Sequence, residues 1–129
     1  MYPHADLGQE VVDDGRLKDL RMTLKWSLNA MAEVLHTSPQ TYSTWERRRD
    51  QIKLWPASAN RVGQFYVQAR QLMGQLADEG IDLGDLIPFH VAASQLGLPQ
   101  EVLLERHRNG ELNAEDLGIL GLWIRKEDL

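Results

Sequence analysis

The sequence predicts a mainly α fold: an N-terminal helix-turn-helix bundle, a long connecting helix, and a small C-terminal helix-turn-helix domain with a β-hairpin wing. Three observations predict it. Apolar residues recur at three-and-four spacing, the period of one buried helix face, from Leu17 through Leu76. The same punctuation between two short helices occurs twice, as His36-Thr37-Ser38-Pro39 and as Gly97-Leu98-Pro99. Charge divides the chain as well: residues 1–77 hold 10 Lys/Arg against 8 Asp/Glu and residues 78–129 hold 4 against 11, within an overall charge of −5. Two small domains, 1–79 and 80–129, are expected to support each other, because each alone is near the lower limit for a self-sufficient core.

In chain order, Met1 to Gly15 is weakly patterned, with Leu7, Val11 and Val12 as its aliphatic residues, and reads as a short helix or a tail. Asp13-Asp14-Gly15 precedes a helix whose apolar stripe is Leu17, Leu20 and Leu24 and whose Lys18, Arg21 and Lys25 add positive charge. Ser27 is an N-cap for a helix with Leu28, Met31, Ala32 and Leu35 on one face. Ser38, an acceptor for unsatisfied N–H groups, and Pro39, which forfeits no bond at a first helical position, restart the chain as a helix to about Arg48. Two helices joined so closely cross steeply and need a small residue at the crossing, which Ala32 supplies.

Ile52, Leu54 and Trp55 form an apolar loop expected to fold back onto the first domain before Pro56 starts the longest helix. From Ser58 to Glu79 that helix carries Val62, Phe65, Tyr66, Ala69, Leu72, Met73 and Leu76 as one stripe. The stripe fits a bridge to the second domain and also fits a dimer interface. Gly80 ends it, and the acidic Ile81–Asp85 segment marks the boundary. A short helix, Phe89 to Leu96, then stops at Gly97; a second, Gln100 to Arg108, stops at Asn109-Gly110; and a turn region at Gly118 and Gly121 with Leu122-Trp123-Ile124-Arg125 predicts the hairpin.

The candidate functional residues lie on the helix after Ser38. Gln40, Thr41, Ser43 and Thr44 are short or planar hydrogen-bonding side chains on its outward face, suited to base edges in a major groove. Arg47, Arg48 and Arg49 follow and suit phosphates, and Lys18, Lys25 and the Tyr42 hydroxyl are further expected backbone contacts. Within residues 16–61 the count is 9 Lys/Arg against 4 Asp/Glu, so positive charge is concentrated around this helix despite the acidic total.

Leu20-Arg21, Ala32 and Trp45-Glu46 resemble the lambda/Cro-type (xenobiotic-response-element) helix-turn-helix family over about residues 16–73. The resemblance implies that Arg21 and Glu46 pair, tying the leading helix to the recognition helix. His36 stands where that family has a turn glycine, and Tyr42 where it has Val or Ile. Histidine accepts positive φ better than most residues, so the turn is expected to persist at ~1 kcal/mol.

From Ile87 to Leu129 the order helix, Leu-Gly turn, helix, Gly-Glu-Leu, hairpin and Trp-Ile-x-Lys-Glu-Asp-Leu resembles the winged helix-turn-helix of excisionases and MerR-type regulators. That likeness implicates Gln100, Glu101, Arg106, Arg108, Arg125 and Lys126 in DNA contact, although the segment's acidity fits a packing or partner-binding module almost as well. The two halves together, with the phrase DLIPFHVAASQLGLP, resemble the immunity repressors of actinobacteriophages related to mycobacteriophage cluster A. What this implies is a prophage-maintaining transcriptional repressor in the bacterial host cytoplasm. It would read asymmetric operator and stoperator DNA as a monomer, since two unlike readers on one chain recognise a non-palindromic site. A homodimer is the alternative state. Competing functions are an excisionase-like architectural factor and a protein-interaction module on the same scaffold.

Other classes find little support. His4, His36, His90 and His107 are scattered without metal-ligand spacing, and the absence of cysteine excludes a disulfide scaffold or a Cys-based zinc site. Acidic pairs such as Asp13-Asp14 and Glu115-Asp116 fall at helix or turn boundaries, where capping and solvation account for them. No glycine pattern forms a phosphate loop. No enzyme activity, metal, cofactor, small-molecule ligand or membrane association is therefore expected.

Overall fold

The computed structural model describes residues 1–129 and is mainly helical, with one small antiparallel sheet. It comprises two compact units, Met1–Gln71 and Leu72–Leu129. The division falls inside the long helix and not at Gly80, where the sequence places the boundary. Leu72 is already within van der Waals reach of Gly118, so the last turns of that helix belong to the second unit's packing.

The first unit contains α1 (Ala5–Asp13), α2 (Arg16–Thr23), α3 (Leu28–Val34), α4 (Pro39–Arg48) and most of α5 (Pro56–Asp78). The weakly patterned start is thus a helix, because Val11 and Val12 are both buried in the core. Leu17, Leu20 and Leu24 bury the stripe of α2, and Met31, Ala32 and Leu35 that of α3. Leu28 departs from this pattern: at the first position of α3 it is solvent-exposed. Glycine decides how α1 meets α5. A Cβ on Gly8 would run into the Ala59 carbonyl oxygen, and one on Gly63 into that of His4, so the two backbones touch only because neither residue has a side chain. The His4 N–H donates to Asn60 Oδ1 at 2.9 Å and fixes the register of this contact.

Five helices end in one manner. The residue after the last turn is left-handed and its N–H, together with the next N–H, returns to the helix's final carbonyls. At Gly80, Gly97 and Gly110 this is glycine; at Lys25 (φ 57°) and His36 (φ 56°) it is not. The expected capping also appears: Ser27 Oγ accepts the Ala30 N–H at 3.0 Å, and Ser38 Oγ accepts the Thr41 N–H at 3.1 Å.

The second unit holds β1 (Leu86–Pro88), α6 (Phe89–Leu96), α7 (Gln100–Arg108), β2 (Glu115–Asp116) and β3 (Leu122–Arg125). The predicted hairpin is β2–β3, paired Glu115 with Trp123 and Asp116 with Leu122. Added to it is a third strand, β1, on the other side of β3 with Ile87 opposite Ile124. Pro88 ends the strand and leads directly into α6, and a proline there is tolerated because β1 is an edge. Ile87, Phe89, Ala92, Ala93, Leu103 and Ile124 form the core. Trp123 is fully buried, with its indole N–H donating to the Leu120 carbonyl at 2.9 Å.

Candidate nucleic-acid interface

Buried Tyr42 and Trp45 hold α4 from beneath, with their rings edge to face at 6.0 Å between centroids. The opposite side presents Gln40 and Thr41 exposed and Ser43 and Thr44 partly exposed, so these four share the helix's accessible surface. Two hydroxyls are already engaged. Ser38 donates to Thr41 Oγ1 at 2.9 Å and Thr44 donates to the Gln40 carbonyl at 2.9 Å, which orients Thr41 as a donor outward and Thr44 as an acceptor.

Arg21 and Glu46 meet in a two-point ion pair: Nε donates to Oε2 at 2.7 Å and Nη2 to Oε1 at 3.0 Å, while Nη1 donates to the Trp26 carbonyl at 2.9 Å. Their side chains are only 13% and 9% exposed, so the contact is close to a buried one. Burial, the largest single influence, would push the Glu46 carboxyl upward; the Arg21 hydrogen bonds, the neighbouring Tyr42 hydroxyl and the charges of Arg21 and Lys18 together outweigh it and hold the group below its usual range. The pair joins α2, the α2–α3 connection and α4 into one rigid piece.

Tyr42 corrects an expectation. It is fully buried, its hydroxyl sits beside the Arg21–Glu46 pair without hydrogen-bonding geometry to a partner, and it is out of reach of a phosphate. The sequence suggests a phosphate as the partner of its hydroxyl; the ring instead lies wholly within the core, which takes the hydroxyl away from the surface. Burial pushes the phenol far above its ordinary value, so it stays neutral.

Of the expected phosphate contacts, Arg47 and Arg48 are exposed at the end of α4. Arg49, at an unusual φ of 22°, turns its guanidinium back over Gly15, which has no Cβ to obstruct it. Lys18 is half-buried and lowers the Glu46 carboxyl electrostatically, and Lys25 occupies the left-handed position closing α2. Lys18 is therefore partly committed to the scaffold.

Two residues that the sequence reading did not select border the site. A groove of ≈ 430 Å³ beside α4 is lined by Thr37, Thr41 and Thr44 on one side and by Ile52, Lys53, Leu54 and Trp55 on the other. Trp55 was expected to fold inward with Ile52 and Leu54, yet it is 80% exposed. The segment is extended, so alternate residues face opposite ways: Leu54 is buried and Ile52 half-buried, while Lys53 and Trp55 face out. Reading that alternation, and not the apolar total, would have found them.

In the second unit Gln100, Glu101, Arg106 and Arg108 are exposed on α7. Arg125 is held by Glu115 at 3.3 Å and Glu127 at 3.8 Å, so its charge is already offset, whereas Lys126 is exposed and outside these pairs. No helix of the chain is long and apolar enough to cross a membrane. No protein-family model, curated protein or solved structure gives a significant match to this sequence.

Proposed function

We propose that the chain is a sequence-specific double-stranded DNA-binding protein, acting as a transcriptional repressor of the phage immunity type. The observation that carries this reading is α4 itself. A helix capped by Ser38 and clamped by Arg21–Glu46 offers Gln40, Thr41 and Thr44 on its free face with Arg47 and Arg48 at its end. Such an element meets both demands of duplex recognition, short polar groups for base edges and cations for phosphates, on a rigid support. In this reading α3 and α4 are a helix-turn-helix, and α4 is its recognition helix.

The second unit is proposed as a helix-turn-helix-like module with a small wing, used by a monomer to extend contact along a non-palindromic site. A protein-binding role for this unit is favoured by one observation: the outer face of α7 carries Glu101 and Glu105, both exposed, which phosphates repel. Selection of bound duplexes from a random pool tests the main reading. A shared, asymmetric sequence retained in a salt-dependent manner is expected, with one chain per duplex in sedimentation. Retention of no duplex at low salt overturns it.

A further inference from the structure

The Gln9 carboxamide bonds two alternate backbone groups of the same loop. Its Oε1 accepts the Leu54 N–H at 2.8 Å and its Nε2 donates to the Ile52 carbonyl at 2.9 Å, as a neighbouring strand would. The remaining amide hydrogen goes to Asp13 Oδ1 at 2.8 Å, so both donors of the group are used. One residue further on, the Trp55 carbonyl accepts the Ala59 N–H at 2.9 Å in the first turn of α5. The backbone on each side of Lys53 and Trp55 is thus fixed, and both side chains project from a segment with little freedom to collapse.

Holding a tryptophan 80% exposed forgoes the burial its large ring would otherwise contribute, while the other three indoles are at most 7% exposed. Around it the groove is lined by hydroxyls, apolar groups and Lys53, with no carboxylate. An apolar ring and a cation on one wall, facing threonine hydroxyls on the other, complement a sugar–phosphate strand, which alternates apolar deoxyribose and anionic phosphate. An acidic or purely apolar protein surface would leave either the ring or the cation unmatched.

We infer that the Gln9-clamped loop is a second DNA-contacting element, in which Trp55 packs on deoxyribose and Lys53 pairs with a phosphate of the strand beside the bases met by α4. This rests on the DNA-binding reading above. Gln9 is its positioning residue: it touches no DNA and acts through the loop.

Trp55 being the exposed indole provides the test. With the full chain and a selected duplex, emission should shift to the blue and acrylamide quenching of the exposed fraction should fall on binding, and both changes should vanish in Trp55→Phe. Trp55→Ala is expected to weaken binding roughly tenfold with an unchanged salt slope, and Lys53→Ala to lower that slope by about 1. Gln9→Ala should weaken the wild type but add little to Trp55→Ala, since a side chain acting through the loop has nothing left to position. A duplex that is retarded while Trp55 stays fully quenchable overturns the inference and leaves α4 as a reader. If wild type retards no duplex, both fall. Additive losses for Gln9→Ala and Trp55→Ala remove Gln9 from the account.

Discussion

In the first unit the chain leaves α3 through a left-handed His36 and re-enters a helix at Pro39; in the second it leaves α6 through a left-handed Gly97 and re-enters at Gln100, at the same spacing. Setting His36 against Gly97 places Ala32 on Ala93 and Tyr42 on Leu103, all four buried. The turn bonds correspond too, Thr37 N–H to the Ala32 carbonyl at 2.9 Å and Leu98 N–H to the Ala93 carbonyl at 3.0 Å. Even the tether recurs in place. Glu46 corresponds to His107, whose Nδ1 lies 3.1 Å from the Leu112 carbonyl and whose ring meets Phe89 edge-on.

The outward positions diverge. Gln40, Thr41 and Thr44 correspond to Glu101, Val102 and Glu105, so two neutral hydrogen-bonding groups become carboxylates and one becomes apolar. Inward residues are constrained because close packing punishes any change of volume, while outward residues touch only solvent or a partner. One backbone plan therefore carries two different outer surfaces, at positions that the fold does not need.

The largest expected effect breaks one member of the comparison and spares the other. Gly8→Ala should destabilise the first unit by about 3 kcal/mol or more, because the obstructing atom is a backbone carbonyl that cannot rotate away. Hydrogen exchange resolved by residue should show protection lost across Met1–Gln71 and kept in the core strands β1 and β3. Equal loss in both units would show that they fold as one.

Arg21→Ala should follow, at about 3 kcal/mol, by leaving Glu46 poorly solvated without its partner. The pH dependence sharpens this. Glu46 has a depressed folded pKa, so its contribution is present above the ordinary carboxylate range of about 4 and lost as pH falls through the folded value. Acid titration of wild type should therefore show a loss of first-unit stability that Arg21→Ala no longer shows. A parallel acid profile in the variant would exclude the pair as its source.

Third, exchanging outward residues probes the divergence directly. Gln40→Ala should cost binding about 1–3 kcal/mol and relax one position of the selected site. The double change Glu101→Gln with Glu105→Gln should strengthen binding to all duplexes by under about 1 kcal/mol per charge, without altering the selected sequence. Uniform weakening by Gln40→Ala would deny it base readout.

The smallest effects should have opposite signs at equivalent positions. His36→Gly relieves a side chain from a left-handed residue and should stabilise by up to about 1 kcal/mol, while Gly97→Ala should destabilise by about the same amount. Thermal melts of both variants measure this, and like signs would mean that the two turns are not equivalent.

What was legible beforehand lies within four residues along the chain. The Ser27 and Ser38 caps, Pro39 as a first helical residue, the glycine stops at 80, 97 and 110, and the bounds of α7 all express bonds between near neighbours, which residue order alone specifies. The apolar stripes of α2 and α5 were equally visible, since a helix repeats its inward face at a fixed period. Four features required the tertiary structure: the edge strand Leu86–Pro88, the Gly8–Gly63 contact, the inward Tyr42, and the Gln9 clamp that turns Trp55 outward. Each depends on a partner distant in sequence or on the face of an element already packed. Three residues containing a proline do not read as a strand until β3 lies beside them, and a glutamine in a helix does not announce that it will act as a strand for a loop more than forty positions away.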